Sequence, residues 1–106
     1  MSVSYVIEKY GEAVVVLATK PGRVQERLRH AYNRIAWVPY KALAADLQEE
    51  FESLQDIMTR VPSRGEGPVE ATTSAMSDDE AENVARGMLD LYFVLLRRYW
   101  RPENED

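Results

Sequence analysis

The sequence predicts an all-α protein: a single-domain four-helix bundle with a Pro/Gly-rich loop between its third and fourth helices. Three observations predict it. Apolar residues recur at three- and four-residue spacing along four segments, the prolines fall between those segments, and Ser77-Asp78-Asp79-Glu80 carries a helix-start signature. The chain has 106 residues, 45% of them apolar, enough for one small core. The helical domain is placed at residues 1–101 and a charged, frayed tail at 102–106.

The first segment, Val3 to Ala18, contains three consecutive valines (Val14, Val15, Val16) that favour a strand, yet strand alternation fails at Tyr5-Val6-Ile7 and again from Ala13 to Ala18. On a helical wheel Val3, Val6, Tyr10, Ala13, Val14 and Leu17 fall within about 100° of arc, so a helix is expected. Val15 and Tyr5 are left outside that stripe. Thr19 and Pro21 suit a cap and first turn, and a second helix is expected to run to about Trp37 with Val24, Leu28, Ala31, Tyr32 and Ile35 on its buried face. Pro39 then forces an elbow at Trp37-Val38-Pro39.

The third helix is expected over about Tyr40 to Arg60, with Leu43, Leu47, Phe51, Leu54, Met58 and Val61 in one narrow seam. Pro62 to Pro68 concentrates two prolines and two glycines in seven residues and is expected to be the most mobile loop. Val69 to Met76 is expected to form one short helical turn with Val69, Thr72 and Met76 on one side. Ser77 and Glu80 make a capping box, and Asp78 and Asp79 suit the positive end of the helix dipole. The fourth helix then extends to about Trp100, where Arg97, Arg98 and Arg101 suit the negative end and Pro102 stops it. Its apolar face covers about 160° of arc. Such width belongs to a central helix, or to one shared with a second copy in a homodimer.

Much chemistry is excluded by composition. With no cysteine there are no disulfides or thiolate sites, and one histidine cannot build a multi-His zinc site within one chain. No Gly-x-Ser-x-Gly and no phosphate-cradling loop occurs; Arg64-Gly65-Glu66-Gly67-Pro68 lacks the lysine and the helix start such a loop needs. Neither a catalytic residue nor a metal or cofactor is expected. The longest apolar run, Ala13 to Ala18, is far short of a membrane span and has no basic segment before it, so a cytoplasmic protein without membrane contact is expected.

The formal charge of −5 is unevenly distributed. Arg23, Arg27, His30 and Arg34 recur at i, i+4, i+7 and i+11, a basic stripe on the second helix. Glu49, Glu52 and Asp56 recur at i, i+3 and i+7 on the polar side of the third. These two sets are the candidate partner-binding faces, unless they are complementary faces that pair with each other. Trp37, Tyr40 and Trp100, with Tyr99, sit at helix ends as candidate interface anchors or as core closure.

Two resemblances follow from these residues. The Arg23-x6-His30 spacing resembles the Arg-x4–6-His pair of HEPN ribonucleases, helical bundles in which arginine and histidine act on an RNA phosphate. Here Val24 replaces the polar residue that usually follows the arginine. The run Glu12-Ala13-Val14, Leu17-Ala18-Thr19, Gly22, Arg27-Leu28, Ala31-Tyr32, then Met76 to Ala81 and Leu89 to Tyr92, resembles a family of small uncharacterised bacterial all-helical proteins of the mobile-element or defence-associated type. That resemblance implies a bacterial cytoplasmic setting and a non-enzymatic role. The expected function is therefore that of a small interaction or regulatory protein that binds another macromolecule, most readily a protein, through charged helix faces. The alternatives are a HEPN-like ribonuclease or its degenerate relative, and an acidic inhibitor that imitates nucleic acid with the third helix's carboxylates. Direct binding of nucleic acid is not favoured by the net charge.

Overall fold

The computed structural model describes residues 2–99, which form five α-helices and one 3-10 turn, with no strand among them. Helix α1 is Val3–Thr19, α2 Val24–Ile35, α3 Ala45–Met58, α4 Pro68–Ala75 and α5 Asp78–Tyr99, and the 3-10 turn is Tyr40–Ala42. The all-helical class follows the sequence pattern, and three details differ from it. The second helix begins only at Val24, because Thr19 is spent inside α1, its hydroxyl donating back to the Val15 carbonyl, and Gly22 turns the chain at φ +112°. The third helix is broken: Pro39 starts only a 3-10 turn, and extended backbone at Leu43 and Ala44 precedes α3.

The third difference is α4. The expected single turn is a full eight-residue helix with Pro68 in its first turn, where a missing N–H costs nothing, so five helices replace the expected four. The loop before it, expected to be mobile, is tied internally. The Ser63 hydroxyl accepts from the Gly65 and Gly67 N–H groups, and Glu66 accepts from the Ser63 hydroxyl and the Arg64 N–H. The positive φ of Gly65 and Gly67 makes that knot possible. The capping box at Ser77 and Glu80 is present as expected, with both reciprocal bonds. Trp100 and the tail 102–106 lie outside the described residues.

Helices α1 and α2 pack closely and run in opposite directions, since Arg27 reaches Leu17 while Arg34 reaches Glu12. The core centres on Tyr10 of α1. Its ring stacks on Tyr92 of α5 at 5.5 Å, meets Phe51 of α3 edge-on at 5.7 Å, and its hydroxyl donates to the Met88 carbonyl at 2.6 Å. Tyr40 stacks on Phe51 at 5.8 Å, so one aromatic chain joins α5, α1, α3 and the 3-10 turn. Helix α4 packs against α2 and α3, fixed by Thr72, whose buried hydroxyl accepts from the Val61 N–H.

The wide apolar face of α5 has three surroundings. Ala85 and Leu89 share a cleft with Val14 and Leu17 of α1, while Ala81, Met88 and Leu95 fill the core. Val84, Gly87, Leu91 and Val94 look into an open groove shared with α3.

Candidate interaction surfaces

The basic stripe of α2 is engaged by the fold. Arg23 supplies the N-cap position of α2, and its guanidinium pairs with Asp78 at 3.2 Å. Half-buried Arg27 donates to the Gly22 carbonyl at 3.2 Å and the Leu17 carbonyl at 3.0 Å. Arg34 pairs with Glu12 at 3.4 Å, and Arg29, off the stripe, pairs with Glu70 at 3.0 Å. His30 is exposed beside an open hollow lined by Arg29, Asn33 and Glu66 to Glu70. Arg23 and His30 stand two helical turns apart, about 10 Å along α2. Pairing within the fold therefore occurs, but the acids that meet α2 come from α1, α4 and the start of α5 rather than from α3.

The acidic residues of α3 behave differently. Glu49 and Asp56 are exposed with no basic group within ion-pair distance among the described residues, and Glu52 accepts only the Tyr40 hydroxyl at 3.1 Å. At i, i+3 and i+7 they repel one another. Asp56 also sits in the last turn of α3, where the helix dipole disfavours a carboxylate and no basic residue compensates it. Among the described residues only Asp46, in the first turn, is paired, with Arg98 of α5 at 2.8 Å. Among the described residues no three His, Asp or Glu side chains gather to hold a metal ion.

The aromatic candidates divide. Tyr40 is half-buried against Phe51, and the Tyr99 hydroxyl accepts from the N–H of Ala44, the residue before α3, at 2.8 Å; both pack against the core. Trp37 is 94% exposed at the elbow after α2. Trp100 is not described. Val15, outside the α1 stripe, is exposed, as is Phe93 of α5, whereas Val16 and Val94 are half-buried.

Two features carry no obvious sequence signature. Gln25 is a polar residue on the buried face of α2, one turn before Leu28 and two before Tyr32, donating from its amide nitrogen to the Met76 carbonyl at 3.1 Å and to Asp78 at 2.8 Å. Both acceptors require the nitrogen there, which leaves the amide oxygen buried without a partner. The second is the groove between α3 and α5. It contains Gly87, and an isolated glycine inside a helical pattern is one hint the sequence gives of it.

Four exposed carboxylates are held below their ordinary range. Asp46 is lowered from 3.8 chiefly by hydrogen bonding to Arg98; Asp78, also from 3.8, by Gln25 and then Arg23. Glu80 is lowered from 4.5 by Arg60 and then the Ser77 N–H, and Glu66 by the N–H groups of Arg64 and Glu66 itself and then the Ser63 hydroxyl. The unfolded chain therefore takes up protons first on acidification. Stability from these contacts is complete above the ordinary carboxylate values and is lost as pH falls through the lowered ones. Urea midpoints measured from about pH 6 to about pH 3 should fall with pH, and combined Arg23→Met, Arg60→Met and Arg98→Met substitutions should flatten the fall.

No family model, curated protein or solved structure matches the chain. No helix among the described residues is long and apolar enough to cross a membrane.

Proposed function

We propose that the protein is a small, non-enzymatic interaction protein that binds a positively charged macromolecular partner through the acidic side of α3. One observation carries this reading: Glu49, Glu52 and Asp56 lie on one face, mutually repelling and without basic partners among the described residues, while the arginines of α2 bond to the protein's own acceptors. An arrangement that costs α3 stability and makes no ion pair among the described residues, with one hydrogen bond from Tyr40 to Glu52, is what a binding face requires. The three arginines of the basic stripe, by contrast, have acceptors within the fold, and Arg27 closes the corner between α1 and α2.

Affinity capture from the native cell at low salt tests the reading, with wild type, Glu49→Lys/Glu52→Lys/Asp56→Lys and Arg23→Gln/Arg34→Gln as baits. A protein held by wild type and by the arginine variant, released by salt and lost with the lysine variant, is the expected result. Equal capture by the lysine variant would remove α3 as the binding face.

A further inference from the structure

Among the described residues, two ion pairs lie at opposite ends of the seam between α3 and α5: Asp46 with Arg98 at 2.8 Å, and Arg60, two residues past the end of α3, with Glu80 at 2.7 Å. Between them the helices do not close. One hollow of about 300 Å³ is lined by Glu50, Ser53, Leu54, Ile57, Val84, Gly87, Met88 and Leu91 among others, and a second of about 420 Å³ continues it through Glu50, Gly87 and Leu91 to Asp90 and Val94. From Asp46 to Ile57 the groove follows α3 for about 16 Å, three helical turns.

Three properties of the groove specify an occupant. Its floor is apolar, with Leu54, Met88 and Leu91 below and Ile57 left 38% exposed at one lip. Its ionisable lining residues, Asp46, Glu50 and Asp90, are all acidic, and Glu50 and Asp90 have no ion-pair partner among the described residues. At its middle is Gly87, and a Cβ added there would meet nothing within 4 Å. Internal packing therefore does not demand this glycine, although glycine is the worst helix former after proline. The position leaves room for another backbone to approach α5 closely.

We propose that the α3–α5 groove is the docking site for an amphipathic helix of a partner protein, with apolar residues on one face and lysine or arginine along its flanks. The proposal rests on the acidic-side reading of α3 and names the partner's chemistry and its seat. A helix is specified over an extended segment because the backbones of α3 and α5 are hydrogen-bonded within themselves and offer nothing to a strand, whereas a helix satisfies its own N–H and C=O groups. A second copy docking groove to groove would set Glu50 and Asp90 against their own like charges, and a nucleic acid would set phosphates against them.

The test titrates a fluorescein-labelled synthetic helix of about five turns, long enough to be partly helical when free, with leucine at i, i+4, i+7 and i+11 and lysine on its flanks, against the full chain. A peptide of the same composition with scrambled leucines is the control. Wild type should bind the amphipathic probe and shift the NMR methyl signals of Ile57, Val84, Met88 and Leu91. Gly87→Leu, which fills the groove and improves helix propensity, should weaken binding by about tenfold or more while the melting curve shows an intact fold. Glu50→Lys/Asp90→Lys should weaken it as well, Glu52→Lys/Asp56→Lys on the adjoining acidic side of α3 by a smaller factor, and Glu8→Lys, an exposed carboxylate of α1 away from the groove, should leave it within about twofold.

Equal binding of the scrambled peptide, or no methyl shifts, overturns the proposal. If Glu52→Lys/Asp56→Lys weakens the probe and Gly87→Leu does not, the acidic side of α3 remains the binding face and the groove is not its seat. If the probe obeys the groove variants while cellular capture ignores the α3 lysine variants, the groove stands and the outer acidic face falls. Sedimentation that shows a dimer dissociated by Gly87→Leu would assign the groove to a second copy and overturn the heterologous partner.

Discussion

Replacing Tyr10 by alanine is expected to destabilise the protein by about 3–5 kcal/mol, read as a lowered urea midpoint with an unchanged slope. The side chain is fully buried at the point where α1, α3 and α5 meet, with its ring against Tyr92 and Phe51. Truncation opens a cavity walled by three helices, none of which can collapse into it without giving up its other contacts. Domains of this size are commonly stable by only about 5–15 kcal/mol, so the variant stands near the edge of folding. Tyr10→Phe separates ring from hydroxyl. It keeps both aromatic contacts and loses only the bond to the Met88 carbonyl, which a helical N–H also serves, so the expected cost is about 1 kcal/mol. Burial also pushes the Tyr10 phenol above its ordinary range, so it stays neutral and donating across the pH range in which the fold persists.

Arg27→Ala is expected to cost about 2 kcal/mol, the second-largest effect. Arg27 closes the corner between α1 and α2, donating to the Leu17 carbonyl near the end of α1, where helical partners run out, and to the Gly22 carbonyl in the turn. Melting temperature should fall by roughly 10 °C. The loss should persist in high salt, because the acceptors are neutral carbonyls and the side chain is half-buried. Arg34→Ala breaks only an exposed pair with Glu12, and its small effect should vanish in salt. A salt-sensitive loss at Arg27 would show that its role is general electrostatics rather than closure of the corner.

The helices were legible because their signals are local. The stripe of Val6, Tyr10, Ala13 and Leu17, the seam of Leu47, Phe51, Leu54 and Met58, and the Ser77–Glu80 cap each lie within one segment, and each is seen in the structure. The start of α2 was not legible, because Thr19 had two possible roles and the hydroxyl bonded back into α1. Nor were the partners of the basic stripe. Sequence shows that Arg23, Arg27 and Arg34 share a face, but only packing decides that Asp78, the Leu17 carbonyl and Glu12 face them while Glu49 and Asp56 do not. The groove was least legible, since it lies between two helices that meet through ion pairs at the ends of their seam and leave a gap between them, a distance no single segment encodes. Gly87 and the width of the α5 apolar face were its local traces.

That the charge of α2 serves the fold while that of α3 is kept for a partner is tested most directly by thermal unfolding at low salt of Glu49→Gln/Glu52→Gln/Asp56→Asn. These substitutions remove the charge with little change in size or helix propensity. Relief of the like-charge spacing and of Asp56 at the negative end of the α3 dipole should raise the melting temperature by roughly 2–5 °C, opposite in sign to Arg27→Ala. A melting temperature lowered by a similar amount would contradict this, by showing that the carboxylates of α3 hold the fold together.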